Sequence, residues 1–211
     1  MSGCGRDSTV PVSKILTILL TAALPASACA QDYAVTIYGG YRGGGHFSDA
    51  DTGKNLALES NGAVSLALDI PFDASRQYQV FLSHQHTQLA LDSAPFSGTD
   101  RLAMDITYLH LGGTSFFDGE VGKGVYAVGG LGATLFHPGQ GYQSELYPSI
   151  NVGLGYQWPL GGTLAVRVEA RGYGTLVNSR GGVFCSGGCV VSIKGDVLTQ
   201  GELMLGLSAR F

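Results

Sequence analysis

The chain has 211 residues, a net charge of −4 and only 13% Asp, Glu, Lys and Arg, about half of the roughly 25% usual in soluble domains. The length fits one domain or a small pair with a sizeable core, and the mild charge excludes a basic nucleic-acid-binding surface, since no basic cluster or interleaved aromatic-basic run occurs. Glycine is abundant at 33 residues, and the surface is short of charge.

The first thirty residues read as an address. Arg6 and Lys14 precede the apolar run ILTILLTAAL (15–24), Pro25 breaks it, and Ala28-Cys29-Ala30 places small residues at −3 and −1 of a cleavage site before Gln31. The run is too short for a spanning helix, which needs about 20 residues. A lipoprotein-type site in ASAC would instead acylate Cys29, although Ala26 stands where a larger aliphatic residue is usual. Removal of residues 1–30 leaves one cysteine pair, Cys185 and Cys189, in an exported protein for which a disulfide is expected.

From residue 31 onward no helical period survives. Segments of about ten residues alternate apolar and polar side chains, and short turns alternate with long loops, as in a transmembrane β-barrel. The first segment, Tyr33 to Arg42, precedes a polar loop at 43–55. In the second, Val64, Leu66, Leu68, Ile70 and Phe72 oppose Ala63, Ser65, Ala67, Asp69 and Pro71. The short turn DASR (73–76) leads to a third, from Gln77 to about Leu89, and a loop at 92–100. The fourth runs from Leu102 to Phe117, the turn DGEVGKG (118–124) follows, and the fifth covers Val125 to Phe136, its phase blurred by glycine. After a loop at 137–146 the sixth sets Ile150, Val152, Leu154, Tyr156 and Trp158 against small and polar residues. PLGG (159–162) opens the seventh, LAVRVEAR (164–171), and a long loop from Val177 to about Asp196 precedes the eighth, which ends at Phe211.

These eight segments predict an all-β, eight-stranded, antiparallel up-and-down barrel over residues 31–211. Tyr33, Phe72, Tyr78, Phe116, Tyr126, Trp158 and Phe211 fall at the short-turn ends, where an interfacial aromatic girdle belongs. In LAVRVEAR the apolar set then faces lipid, because an outward Arg at the bilayer midplane costs about 2–4 kcal/mol. The expected lumen network is Asp69, Asp105, Arg167, Glu169, Arg171, Glu202 and Arg210, paired with one another rather than lining an open channel.

The last strand, LMLGLSARF with terminal Phe211, resembles the carboxyl-terminal signal by which outer-membrane barrels are recognised by their assembly machinery. The chain from 31 to 211 resembles the small OmpA/OmpX-type barrel domain, and GGYRGGG, YLHLGGTSFFD, GGLGATLF and EARGYGTL with FCSGGC resemble outer-membrane barrel proteins of largely uncharacterised function. The resemblance implies a monomer in the bacterial outer membrane, with lipid and the assembly machinery as partners, and carries over no catalytic residue.

The chemistry-bearing side chains offer little more. His84 and His86 share one strand face and are candidate metal ligands, but two ligands do not make a site and a third, such as His110, would have to approach. Ser83 and His84 lie on opposite faces, so they form no hydrolytic dyad, and His110 with Thr107 or Ser115 is no better. The glycine runs open no helix and so are not phosphate cradles; they let a narrow barrel coil and let aromatics such as Tyr126 lie over bare backbone. Asp49 and Asp51 lack the later acidic ligand of a calcium loop. No cofactor is expected. The sequence thus points to a non-enzymatic barrel with a structural or surface-interaction role, its long loops facing an unknown partner; a lipid-modifying hydrolase, or a narrow channel or small-ligand carrier, is the alternative. The apolar cluster Val183, Phe184, Val190 and Val191 beside CSGGC is a candidate contact of the fourth outer loop.

Overall fold

A computed structural model describes residues 33–48, 55–90, 101–139, 143–177, 183–185, 189–191 and 197–211. Eight long strands follow one another: β1 (Ala34–Gly43), β2 (Asn61–Pro71), β3 (Arg76–Ala90), β4 (Arg101–Phe116), β5 (Gly124–Pro138), β6 (Glu145–Gly161), β7 (Leu164–Leu176) and β8 (Val197–Arg210). Each pairs antiparallel with its chain neighbours, and β1 also pairs with β8, from Ala34 opposite Arg210 to Gly43 opposite Gly201. The sheet is therefore closed and the long strands present no free edge. Short strands at His46–Ser48 and Asn55–Leu58 extend the first long hairpin.

Alternation holds through every long strand. On β7 the outward Leu164, Val166, Val168 and Ala170 alternate with the inward Ala165, Arg167, Glu169 and Arg171, and the inward set is buried. β5, whose phase the sequence left open, turns its even residues inward: Tyr126, Val128, Thr134 and Phe136 are buried, while Val125, Leu131 and Leu135 are exposed. Two glycines make room for inward rings. A Cβ on Gly155 would meet the Tyr126 ring at 2.3 Å, and one on Gly206 would meet Tyr38 at 2.5 Å, so the expected aromatic-over-glycine packing of Tyr126 occurs inside the barrel.

The aromatic girdle differs at two residues from the sequence expectation. Phe72, Tyr78, Trp158 and Phe211 are exposed at the short-turn end, but Phe116 is 3% exposed and Tyr126 is fully buried, whereas Phe117 is 63% exposed. One step along a strand exchanges the two faces, and β4 carries Phe116 inward and Phe117 outward. Phe116 and Tyr126 instead pack, 5.1 Å between ring centroids, with Val128 and Val121. Val121 belongs to the turn between β4 and β5, which is tied beneath the barrel by Val121 N–H donating to Ala74 O (2.9 Å) and Arg210 Nη2 donating to Val121 O (3.2 Å).

Candidate functional site

Inside the barrel the charges form two groups. Arg167 Nη1 lies 2.6 Å from Asp69 Oδ2 and its Nε donates to Gln157 Oε1 at 2.8 Å; Asp69 is held from the other side by Gln79 Nε2 at 2.8 Å. Two residues further on, Glu169 accepts from Arg171 Nε (2.6 Å), Tyr126 OH (2.7 Å) and Tyr38 OH (3.3 Å), and Arg171 Nη2 reaches Gln79 Oε1 at 3.0 Å. The Arg171 guanidinium lies 3.6 Å over the Phe81 ring. Nearer the long-loop end, Arg42 donates to Glu202 through Nε (3.1 Å) and Nη2 (2.7 Å), contacts Ser83 Oγ, and sits 4.8 Å from the rings of both Tyr108 and Tyr173. Tyr173 OH donates to the same carboxylate oxygen, Glu202 Oε2, at 2.5 Å.

Six charged groups thus compensate one another: Arg42, Arg167 and Arg171 against Asp69, Glu169 and Glu202, all buried. Such pairing is what buried ions require, because an unpaired one bears a desolvation penalty of several kcal/mol. Arg42 is the member absent from the expected network. It lies on the same strand face as the buried Ala34, Thr36 and Tyr38, so continuing the alternation of the first strand to its end assigns it inward.

Two expected members lie elsewhere. Asp105 is on the outer face of β4, where its side chain is 36% exposed and its Oδ1 is 2.6 Å from His86 Nδ1, itself 63% exposed. The inward residues there are Met104 and Ile106. Arg210 sits at the short-turn mouth, bound to Val121 O rather than to an acid of the network. It borders a polar recess of about 160 Å³ whose lining includes Gln77, Gln157, Ser208 and the Arg167 side chain.

Above the charges the lumen mixes apolar side chains with buried Gln85, Thr87, Thr134 and Gln200. Leu58, Met104, Ile106, Phe136, Val177 and Leu198 are buried in one cluster with Tyr38, Phe81 and the Tyr108–Tyr173 stack. His110 faces this interior, its Nε2 3.0 Å from Ser149 Oγ, and so cannot join His84 and His86 on the opposite side of the sheet. Among the described residues no three His, Cys, Asp or Glu side chains converge as a metal cage. The backbone sets Cys185 opposite Cys189 in a two-stranded ladder with Val183 opposite Val191. The side chains of this hairpin, residues 1–30, and Asp49 and Asp51 lie outside the described residues.

No family model matches the chain, and no curated protein matches it. Solved structures do. Ail, the attachment invasion locus protein of Yersinia pestis, solved in complex with the heparin analogue sucrose octasulfate, is 17% identical over 87% of this chain and 100% of its own, with a TM-score of 0.44. Neisserial surface protein A is 13% identical over 85% and 97%, with a TM-score of 0.48. The outer membrane protein OprG of Pseudomonas aeruginosa is 11% identical over 86% and 96%, with a TM-score of 0.50. At these identities the likeness is one of fold, and it agrees with the closed ladder from β1 to β8: the chain has the fold of the small eight-stranded outer-membrane β-barrels, of OmpA/OmpX type.

Proposed function

We propose that this protein is an integral barrel of the bacterial outer membrane with a structural or surface-interaction role, presenting its long loops outside the cell and catalysing no reaction. The observation that carries the reading is the filled lumen. Three arginines and three carboxylates compensate one another at mid-barrel, an apolar cluster lies above them, and Phe116, Tyr126 and Val121 pack below beside a small polar recess, so most of the interior is committed to packing and the loops are the surface left for a partner. In this reading residues 1–30 direct export, the barrel is monomeric, and the assembly machinery reads the terminal strand through Phe211. Two measurements test it together. Purified protein in planar bilayers is expected to carry no conductance, and a deletion strain is expected to keep its lipid A profile unchanged. Discrete single-channel openings would favour the narrow channel, and a missing lipid A modification would favour the hydrolase; either result defeats the proposal.

A further inference from the structure

Three of the chain's five histidines lie on the outer face at one place. His84 and His86 are two residues apart on β3, and His137 is on β5; Asp105 on β4 stands in register between His86 and His137. All four side chains point away from the lumen, since Ser83, Gln85, Thr87, Met104, Ile106 and Phe136 take the inward positions. The patch begins where the outward leucines end, at Leu82, Leu109 and Leu135. Thr107, the partner of His84, is ten residues from the girdle residue Phe117. At 3.3–3.4 Å per residue and a tilt near 40°, this is a height of roughly 25 Å, the full apolar band. The patch therefore occupies the long-loop rim, next to solvent.

Each ring is held in the same way. His84 Nδ1 is 2.9 Å from Thr107 Oγ1, and His86 Nδ1 is 2.6 Å from Asp105 Oδ1. Both cross-strand partners occupy Nδ1 and leave Nε2 as the outward nitrogen. A carboxylate on the far nitrogen fixes the tautomer of an imidazole and makes it a better metal ligand. Residues i and i+2 of a strand are roughly 6.5–7 Å apart on one face, a spacing over which two imidazoles can close on one ion at about 2.0–2.1 Å from each nitrogen.

We propose that His84 and His86 chelate one borderline divalent cation, Cu²⁺ or Zn²⁺, through Nε2, with Asp105 and Thr107 orienting the rings. Imidazole ligands select these ions over Mg²⁺ and Ca²⁺, and the general affinity order places Cu²⁺ above Zn²⁺. Water completes the coordination, because the patch faces solvent, so this is an open chelate of two imidazoles and not the three-ligand protein cage that His110 would have had to complete. The carboxylate at its centre disfavours an anion such as phosphate. His137 is left out of the pair because it stands two strands from His86, with Asp105 in register between them.

The test is equilibrium dialysis of untagged, detergent-folded protein against CuSO₄, ZnCl₂ and MgCl₂ separately, with electron paramagnetic resonance of the copper form. The expected result is one Cu²⁺ per chain with hyperfine coupling from two nitrogens, weaker Zn²⁺ binding and no Mg²⁺ binding. His84→Ala and His86→Ala should each weaken Cu²⁺ binding at least about tenfold and Asp105→Asn about 10–100-fold, with heat-modifiable gel migration unchanged in all three. His137→Ala should bind as the wild type does. Wild-type affinity in either of the first two variants, loss of binding confined to His137→Ala, or no saturable Cu²⁺ uptake by the wild type overturns the assignment.

Discussion

Glu169 receives three donors, from Arg171, Tyr126 and Tyr38. Its removal strands the Arg171 guanidinium in a buried position, and breaking a buried pair from one side costs about 3–5 kcal/mol. Glu169→Ala is therefore expected to lower the unfolding free energy obtained from urea titration of the folded, heat-modifiable form by that amount. Asp105→Asn breaks an exposed pair and should cost at most about 1 kcal/mol. Equal losses in the two variants would contradict the placement of the two carboxylates on opposite faces of the sheet. Arg167, Glu169 and Arg171 were legible because they interrupt an otherwise apolar strand at every second position. Asp105 was not, since its neighbours Met104 and Ile106 look like a lipid-facing series and are in fact the apolar filling of the upper lumen.

At the scale of the strand, β4 explains that error. Its lower part turns Leu109 and Leu111 outward, while its upper part turns Met104, Ile106 and Tyr108 inward. The apolar face changes sides between Tyr108 and Leu109, and in the proposed outer-membrane setting this is where the surroundings change from lipid to water. A barrel wall in water hides its apolar residues inside, as soluble proteins do, and a wall in lipid shows them. The eight elements were legible from alternation, but this reversal appears in the sequence only as two adjacent apolar residues. The turn between β2 and β3 carries a second testable feature. Asp73 accepts from the backbone N–H of Ser75 (2.9 Å) and of Arg76 (2.8 Å) and from Arg76 Nε (2.7 Å). The Ser75 backbone bond first, then the Arg76 side chain, hold its carboxyl down at about 2 from an ordinary 3.8. A depressed folded value means that this turn's contribution is present above about 3.8 and is lost as pH falls through about 2. Resistance to unfolding between pH 4 and pH 2 should therefore fall less steeply in Asp73→Asn than in the wild type, and parallel pH profiles would show that the turn makes no such contribution. The end of β8 carries a third. Phe211 N–H donates to Tyr33 O at 2.9 Å and the ring is exposed beside Tyr33 at the short-turn mouth. Deletion of Phe211 is expected to leave unfolded protein in the periplasm; normal surface exposure of the truncated chain would remove Phe211 from assembly.

For the molecule as a whole, closure from β1 to β8 supplies backbone partners along all eight long strands, independently of the loops at the long-loop end. The sequence could show alternating segments and turn lengths, yet loop partners leave no periodic pattern, so the loops stayed unread. The CSGGC hairpin illustrates the separation. Its backbone register puts Cys185 opposite Cys189, the export proposed for this chain would favour oxidation, and the intervening Gly187 and Gly188 lower the cost of a sharp return. A bridge across so short a segment closes a small ring, whose loop-closure entropy is a minor share of barrel stability. Its effect is therefore expected to be local stiffening of the loop between β7 and β8. Cys185→Ser combined with Cys189→Ser should insert normally and keep the wild-type unfolding free energy from urea titration within about 1 kcal/mol, while protease cleavage between 177 and 196 becomes faster. Alkylation of unreduced wild-type protein followed by mass spectrometry provides the companion measurement: no modified cysteine is expected at either position. Two alkylated thiols in freshly isolated outer membranes would eliminate the bridge, and a large drop in the midpoint of the double variant would show that this loop contributes to barrel stability.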